Sequence, residues 1–346
     1  MPYVGEDGQT HYEQVTVGVA QNTNPDRKGH CGAFNTKDSY GRDFSIRNGL
    51  DPRPEGSLYG WNISEQWDRA YELDPDFVFV TGWNEYIAGM WLPKDSWNGE
   101  PFSFVDQYNW RCSRDIEPNA GWGDRGDVYY LQLVDRIRKF KGMTKAEEAS
   151  PSKSIRLGKT SDWDDVKPYF ASYKGNTFHR DAEGAANMYY RDSSGRNDIV
   201  GAKVARDGKN LYFYVECAGN LTPSSDPHWM QLFIDVDRDK STGWNGYDFV
   251  LNRVSPKGWL SKKAVLEKNV QGIWMWEKEA RCKFSVKGNV LVVEIPREVL
   301  GIGDGAVDIE FKWNDNMQKE GDVMDFYVSG DTAPGGRFNY VYATKD

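Results

Sequence analysis

The stretch that most constrains the fold is residues 77–90, which read FVFVTGWNEYIAGM. Its first four residues, Phe77 to Val80, form a short and wholly apolar run of aromatic and β-branched side chains. Such a run predicts a strand that is buried on both faces, as strands of parallel sheets usually are. Polar and aromatic residues follow it at once, with Glu85 between Trp83 and Tyr86. Because barrels of alternating strands and helices hold functional side chains beyond the carboxyl ends of their strands, Glu85 is a candidate catalytic carboxylate.

The chain around this stretch alternates predicted strands and helices. Residues Glu13 to Ala20 predict a strand with valine at every second position. Asn62 is predicted to cap a helix whose third residue, Glu65, closes a capping box, and Asp127 to Phe140 predict a second amphipathic helix. The order is therefore two β/α units with long loops after the strands. Two units are a quarter of an eight-fold barrel, so we expect the missing N-terminal barrel portion in a longer parent protein.

The second half has a different pattern. After a linker predicted over residues 143–153, the chain alternates apolar and polar residues in short runs that Gly, Asp and Asn separate. This pattern is typical of an antiparallel β-sandwich. The predicted strands are Ile199–Val204, Asn210–Cys217, Met230–Val236, Tyr247–Asn252, Trp274–Trp276, Val290–Ile295 and Val307–Trp313. The fold class is thus two domains: a partial (β/α) barrel, its last two β/α units, over residues 1–142, and an antiparallel β-sandwich over residues 154–346.

Composition narrows the class of ligand. The chain holds 14 Trp and 19 Tyr, a bias that suits stacking against the apolar faces of sugars and equally suits an aromatic-rich core. Its net charge of −9 argues against nucleic-acid binding. The first 150 residues carry −8 of this charge, which favours a neutral glycan over an anionic substrate. The sequence offers no apolar run of about 18 residues for a membrane span and no CxxC pair for zinc.

Glu85 fits the needs of glycoside hydrolysis. That reaction uses one carboxyl group to protonate the leaving oxygen and a second group at the anomeric centre. The neighbouring rings would raise the pKa of Glu85 by desolvation. The alternative is a structural carboxylate that caps a helix or pairs with an arginine such as Arg114. The candidate substrate-binding residues are Gln21, Asn22, Trp83, Asn84 and Tyr86. The three amide side chains are candidates because each offers hydrogen-bond donors and an acceptor. Binding of loop backbone by these amides is an equal alternative.

An acidic segment in the second half suggests a metal loop. Asp235, Asp237 and Asp239 alternate, as in calcium loops, but Lys240 and Gly246 occupy the sixth and twelfth positions. The segment is therefore not an EF-hand. A hairpin tip is the favoured interpretation, and a structural calcium site is the alternative. The sequence indicates no other cofactor.

Three motifs in the first half carry a family resemblance: residues 17–21 (VGVAQ), 74–85 (DPDFVFVTGWNE), and 113–118 (SRDIEP) with 127–134. They resemble the C-terminal end of the barrel in glycoside hydrolases related to families 71 and 99 and in WbsX-like proteins of polysaccharide loci. The resemblance implies that Glu85 is catalytic. It also implies a second glutamate three residues later, whose place Ala88 takes here.

The residue that would replace the missing glutamate is open. Asp106, Asp115 and Glu117 follow in the next loop and are candidate partner carboxylates. Asp115 and Glu117 could instead form structural ion pairs with Arg111 and Arg114, which is the favoured interpretation of these two.

The second half resembles carbohydrate-binding module family 9 and kindred sandwich domains of bacterial glycosidases. The matching segments are residues 162–166, 211–215, 231–235 and 246–249. Modules of that family hold sugars between aromatic rings, which makes several tryptophans candidates, although each could be a core or rim residue. These candidates are Trp229, Trp244, Trp259, Trp274 and Trp276.

The two resemblances together imply part of a secreted or periplasmic glycoside hydrolase that acts on a polysaccharide or oligosaccharide and carries a glycan-binding module. A non-catalytic carbohydrate-binding protein is one alternative. A WbsX-like protein of polysaccharide assembly is another. With most barrel strands expected elsewhere, this chain alone should show little hydrolase activity.

Overall fold

A computed structural model describes residues 2–20, 40–84, 90–91, 103–104, 110–176, 180–183, 189–256 and 263–345. The chain divides into two compact units. Unit 1 contains Met1–Thr144, and unit 2 contains Lys145–Gly184 and Tyr189–Asp346. Among the helices so described, none has the length and apolar character needed to cross a bilayer.

Unit 1 contains short strands and two longer helices. The helices are α1 (Trp61–Leu73) and α2 (Val128–Lys141), and two 3₁₀ turns cover Gly56–Leu58 and Ala120–Arg125. The strands are β1 (Pro2–Val4), β2 (Thr10–Tyr12), β3 (Gln14–Val17), β4 (Phe44–Ser45), β5 (Gly49–Leu50), β6 (Phe77–Val80), β7 (Met90–Trp91) and β8 (Ser103–Phe104).

The predicted strand at Phe77 is β6, and it pairs in parallel with β3. The face of this pair that carries Val17 and Val80 packs against α1 and α2, with Trp67 and Tyr129 buried in the same core. The prediction that β6 is buried on both faces is wrong. Phe77 is 52% exposed, because the described helices cover only one face of the two strands. A partial barrel is not evident among these elements.

The start of α1 also differs from prediction. The helix begins at Trp61, with Gly60 as the N-cap in the left-handed conformation at φ 65°. Asn62 lies inside the helix, where its amide donates to the carbonyl of Phe44 at 2.9 Å. The carboxylate of Glu65 accepts from the backbone N–H groups of Ile46 and Arg47. The predicted capping box is therefore wrong, because both polar side chains bind the 44–47 segment instead.

Arg42 ties several parts of unit 1 together. Its side chain is 1% exposed, and its guanidinium carbon lies 4.3 Å from the ring centroid of Trp110 and 4.1 Å from that of Tyr129. The same group donates to the carbonyls of Ser113 and Asp115, each at 2.7 Å. It thereby fixes the 113–115 segment against α2.

Unit 2 is mostly β. Two 3₁₀ turns cover Thr160–Trp163 and Arg297–Leu300, and one short helix is α3 (Asp325–Val328). The strands are β9 (Phe170–Ala171), β10 (Arg180–Glu183), β11 (Tyr189–Asp192), β12 (Ile199–Arg206), β13 (Asn210–Cys217), β14 (Gln231–Asp235), β15 (Phe249–Leu251), β16 (Lys263–Asn269), β17 (Trp276–Lys287), β18 (Val290–Pro296), β19 (Asp308–Asp315), β20 (Asp331–Ala333) and β21 (Tyr340–Ala343).

One antiparallel sheet of eleven described strands forms most of unit 2. Its order is β20-β19-β14-β15-β16-β17-β18-β13-β12-β9, with β21 also paired to β19. The sheet curls so that its two halves enclose a shared core, in which Phe213 of β13 meets Phe311 of β19 with ring centroids 5.7 Å apart. The prediction of an antiparallel, sandwich-like fold is confirmed at this level. A single curled sheet encloses the core.

The outer face of β14 and β19 is buried as well. Phe233 of β14 is fully buried and contacts Trp244, Tyr247 and Phe326, with ring centroids 5.2 to 5.9 Å apart. Both faces of β14 are therefore covered, one by the core and one by this aromatic cluster.

Candidate functional site

The best candidate site in the described part of the chain is an aromatic hairpin in unit 2. Strands β16 and β17 are joined by a tight turn at Gln271 and Gly272, both with positive φ, at 63° and 70°. Turns of this kind match the twist of a hairpin. The side chain of Asn269 closes the turn, because its amide nitrogen donates to the carbonyls of Ile273 and Met275 at 2.8 and 3.2 Å. The residues that follow the turn are thus held in place.

Trp274 and Trp276 stand next to this turn, both half-buried. Their rings meet edge to face, with centroids 5.5 Å apart and an interplanar angle of 85°. Trp274 also packs on the buried Trp244, with centroids 4.4 Å apart. Gly321 approaches Trp274 so closely that a Cβ atom there would lie 3.0 Å from the ring. The ring of Trp274 is therefore packed against Trp244 and Gly321, and both rings are still partly exposed.

Charged side chains adjoin the ring of Trp274. Its indole N–H donates to Glu320 at 3.4 Å. Arg253 binds the buried carboxylate of Glu267 through two hydrogen bonds of 2.7 and 3.0 Å, and its remaining terminal nitrogen lies 3.6 Å from Glu320. His228 lies 3.8 Å from the same carboxylate. The arrangement offers a flat apolar surface beside hydrogen-bond donors and acceptors, which is what a sugar ring requires.

The five tryptophan candidates differ in how far they are buried. Trp274 and Trp276 lie together at the surface. Trp229 is fully buried in the core, where its indole N–H donates to the carbonyl of Thr222 at 3.0 Å. Trp244 is 4% exposed beneath Trp274. Trp229 and Trp244 match the alternative of core residues, because both side chains are almost fully buried. Trp259 lies outside the described residues.

The structure describes only part of the candidate site in unit 1. Glu85, Tyr86, Gln21, Asn22 and Asp106 lie outside the described residues. Trp83 and Asn84 are exposed at the end of β6. The N–H of Glu117 donates to the carbonyl of Trp83 at 2.9 Å. The segment that carries the candidate partner carboxylates is thus brought beside the strand end that leads to Glu85.

The structure gives Arg111 a different partner from the predicted Asp115 or Glu117. Its guanidinium donates to Asp43 at 2.7 Å. Asp115 is 6% exposed, and its backbone N–H and carboxylate both contact the Ser113 hydroxyl, at 3.2 and 3.4 Å. Asp115 is thus built into the loop.

The acidic segment forms the predicted hairpin tip between β14 and β15, which pair antiparallel. Of the three aspartates proposed as calcium ligands, Asp235 and Asp237 lie close together, joined by Asp248 instead of Asp239. An ammonium group already binds here, because Lys240 donates to Asp235 at 2.6 Å and to Glu310 at 2.5 Å. Asp239 accepts from Ser241. Calcium binding stays a prediction.

Arg253, Glu320 and Asn269 are functional candidates that the sequence pattern does not single out. Arg253 and Glu320 are 67 positions apart in the chain, and only the fold brings both to Trp274. Asn269 could have been found, because Asn-Val-Gln-Gly between two apolar runs is a hairpin signal.

Comparisons with known proteins add no assignment: no family model matches this chain, and neither a curated protein nor a solved structure is significantly similar to it.

Proposed function

We propose that this chain is a carbohydrate-active protein whose unit 2 binds a polysaccharide or oligosaccharide through Trp274 and Trp276. The observation that carries the proposal is the mounting of Trp274, whose partly exposed ring rests on Trp244 and touches Glu320. Aromatic side chains with one polar edge are well suited to ligands that are apolar on one face and hydroxylated at the rim.

The polar groups support the same ligand class. Glu320 presents an acceptor 3.4 Å from the indole nitrogen of Trp274, and Arg253 lies 3.6 Å from that carboxylate. Vicinal sugar hydroxyls both donate and accept, so they can bind such a pair at once. Because one carboxylate and one guanidinium stand side by side, the pair favours a neutral glycan over a strongly charged one.

A glycan array tests this proposal. The full chain, labelled with a fluorophore, is incubated with neutral and acidic oligosaccharides beside its Trp274→Ala/Trp276→Ala variant. Binding of one or more neutral glycans by the parent chain, and its loss in the variant, is the expected result. A matched control is Tyr173→Ala, since Tyr173 is 85% exposed elsewhere in unit 2. Equal binding by all three proteins would refute the proposal.

A second proposed function, glycoside hydrolysis, rests on unit 1. The hydrogen bond from Glu117 to Trp83 supports it, because it brings a second carboxylate-bearing segment beside the strand that precedes Glu85. In this proposal Glu85 is the catalytic acid and Glu117 is the residue to test as its partner. Glu117 is tested because Ala88 occupies the position at which the resembled hydrolases have their second glutamate.

The hydrolase proposal is tested in the protein as its gene encodes it. Glu85→Gln and Glu117→Gln variants are assayed on the glycans identified by the array, with Glu72→Gln on the surface of α1 as the control. We expect Glu85→Gln to reduce turnover at least 100-fold, since general acid catalysis contributes about 10²–10⁴-fold. Unchanged turnover in Glu85→Gln would remove that residue from the mechanism.

A further inference from the structure

A cavity of about 370 Å³ lies at one end of the large sheet in unit 2, and the glycan-binding proposal does not use it. At this end β12 and β18 stop and β13 begins, with a turn over residues 207–210 between β12 and β13. The N–H of Arg297, the residue after β18, donates to the carbonyl of Lys209 in that turn at 2.8 Å. The described residues that line this sheet-end cavity are Ser152, Arg206, Asp207, Gly208, Arg297, Asp304 and Gly305.

Arg297 joins two walls of the sheet-end cavity. Its side chain is 3% exposed, and its guanidinium donates to the carbonyls of Asp207 and Gly305, at 3.1 and 2.6 Å. These bonds hold the loop 303–305 against the turn that follows β12. The Nε–H of the same group is buried without a hydrogen-bond partner. Because carbonyl oxygens carry only partial negative charge, Arg297 is a buried cation that no carboxylate of the described chain neutralises.

Arg206, the last residue of β12, is a second cation of this kind. It is 9% exposed, and it donates to the carbonyls of Ser150 and Lys345, at 3.1 and 3.2 Å. Both arginines act on the hydroxyl of Tyr342, where burial raises the pKa and the two positive charges oppose that rise. Neither arginine forms an ion pair in the part of the chain that the structure describes. A buried charge without a counter-ion is costly, so an anion bound here would stabilise this end of the sheet.

The two aspartates of the cavity do not supply that counter-ion. The carboxylate of Asp207 accepts from the hydroxyls of Ser154 and Tyr212, at 2.6 and 2.7 Å, and from two N–H groups of its own turn. Burial acts to raise the pKa of Asp207, but these four bonds outweigh it and lower the pKa to about 2. Asp304 is exposed at the rim. Its charge opposes the binding of an anion, so its removal should strengthen binding.

Neutral donors and a further cation adjoin the two arginines. The N–H of Gly208 makes no hydrogen bond within the described ranges, and Ser152 contributes an exposed hydroxyl to the wall. Lys209 is exposed in an adjoining cleft of about 520 Å³, which Glu298 also lines. Guanidinium, backbone and hydroxyl donors that come from several segments suit an anion with several oxygens.

We propose that the sheet-end cavity binds a phosphate group through Arg206 and Arg297, with the N–H of Gly208 as a further donor. The planar guanidinium fork matches phosphate oxygens and remains charged at every physiological pH. A phosphate monoester carries a charge of about −1.5 to −2 at pH 7, so one such group can neutralise both buried cations. The site shares no residue with the Trp274 surface and does not depend on glycan binding.

Isothermal titration calorimetry of the full chain with inorganic phosphate tests the site, at constant ionic strength and beside acetate. Arg206→Gln removes one cation. Gly208→Glu places a carboxylate in the cavity wall, where an added Cβ atom meets no neighbour within 4 Å. Gly219→Glu is the matched control, because that position is equally open and lies past the other end of β13. Asp304→Asn removes the rim carboxylate.

The expected result is one phosphate per chain, bound at least 10-fold more weakly by Arg206→Gln and Gly208→Glu, more tightly by Asp304→Asn, and within twofold by the control. Phosphate should also raise the thermal midpoint of the parent chain, as binding to the folded state requires, and both weakened variants should lose that rise. A purely structural Arg206 would leave the rise intact. Gly208→Glu keeps the test decisive if Arg206→Gln does not fold.

Titration with methyl phosphate distinguishes the two sources of the group. Affinity equal to or above that for inorganic phosphate assigns a phosphate monoester, and lower affinity assigns free phosphate. Either outcome supports the proposal. It is overturned if the parent chain binds no phosphate, if acetate competes as well as phosphate, or if Gly208→Glu binds like the control.

One more variant tests for a counter-ion within the chain itself. Asp346 lies outside the described residues and follows Lys345, whose carbonyl accepts from Arg206. The Asp346→Asn variant should bind phosphate at least as tightly as the parent chain. Binding by this variant alone would show that the chain supplies its own counter-ion, and it would overturn the proposal.

Discussion

Trp244 and Trp274 meet edge to face in unit 2, with ring centroids 4.4 Å apart and an interplanar angle of 73°. Trp244 is buried, whereas Trp274 is partly exposed. Such aromatic pairs contribute about 0.5–1.5 kcal/mol beyond the burial of their area. The position of the exposed ring therefore depends on the buried one, and a change at Trp244 should affect both stability and glycan binding.

Removal of the buried ring should be costly. Because truncation of a core tryptophan to alanine costs about 3–5 kcal/mol, we expect Trp244→Ala to lower the free energy of unfolding of unit 2 by that amount. Differential scanning calorimetry of the full chain measures it. The exposed control Tyr173→Ala should change stability by less than about 0.5 kcal/mol. A loss below about 1 kcal/mol in Trp244→Ala would show that this ring is not a core residue.

The turn that precedes Trp274 should depend on Asn269. Its side chain makes three hydrogen bonds across the turn, two as donor and one as acceptor from the N–H of Gly272. At about 0.5–1.5 kcal/mol each, we expect Asn269→Ala to destabilise unit 2 by about 2 kcal/mol and to weaken glycan binding. Denaturant unfolding and titration measure the two effects. Asn220→Ala, at an exposed position, is the control, and an equal effect there would contradict the role of Asn269.

Asp331 should make stability depend on pH. The residue is 1% exposed, its carboxylate accepts from the N–H of Ile199 at 2.6 Å, and burial raises its pKa to about 7. The folded state therefore binds this proton more tightly than the unfolded state, whose Asp pKa is about 3.9. The resulting stability is present below about pH 4 and is lost as the pH rises to about 7.

The Asp331→Asn variant isolates this effect. The asparagine cannot ionise. As the pH rises from 4 to 7, the parent chain should therefore lose up to roughly 4 kcal/mol of unfolding free energy relative to the variant, at about 1.4 kcal/mol for each unit of pKa shift. Urea unfolding at several pH values between these limits measures the difference. Parallel pH profiles for the two proteins would be incompatible with a raised pKa at Asp331.

Arg42 should stabilise unit 1. Its guanidinium is buried between Trp110 and Tyr129 and donates to two carbonyls. Because hydrogen bonds from charged groups contribute about 1.5–3 kcal/mol each, we expect Arg42→Met to lower the free energy of unfolding of unit 1 by at least about 3 kcal/mol. Arg69→Met, which removes only a surface ion pair with Glu72, should cost less than about 1 kcal/mol. Equal losses would exclude the proposed role.

Elements with a clear period could be predicted from the sequence. The boundaries of β13 match the prediction at both ends, and α2 is displaced by only one residue. Short or polar strands were missed, among them β16, whose Lys-Ala-Val-Leu-Glu-Lys-Asn shows little alternation. Its strand character comes from pairing on both sides, with β15 and β17. Tertiary context determines such a strand, and composition does not.

The candidate site was predictable only in part. Tryptophan content indicates aromatic surfaces, but it does not separate the buried Trp229 from the partly exposed Trp274. That distinction depends on which face of the sheet each ring occupies. Arg253 and Glu320 come from distant loops, so no local pattern could have placed them beside the ring.

The most direct test of the central claim is calorimetric titration of the full chain with the neutral oligosaccharide that binds best on the array. We expect one site per chain in unit 2, at least 10-fold weaker binding in Trp274→Ala, and no detectable binding in Trp274→Ala/Trp276→Ala. The Tyr173→Ala control should bind within twofold of the parent chain. Undiminished affinity in the double variant would contradict glycan recognition by this pair of rings.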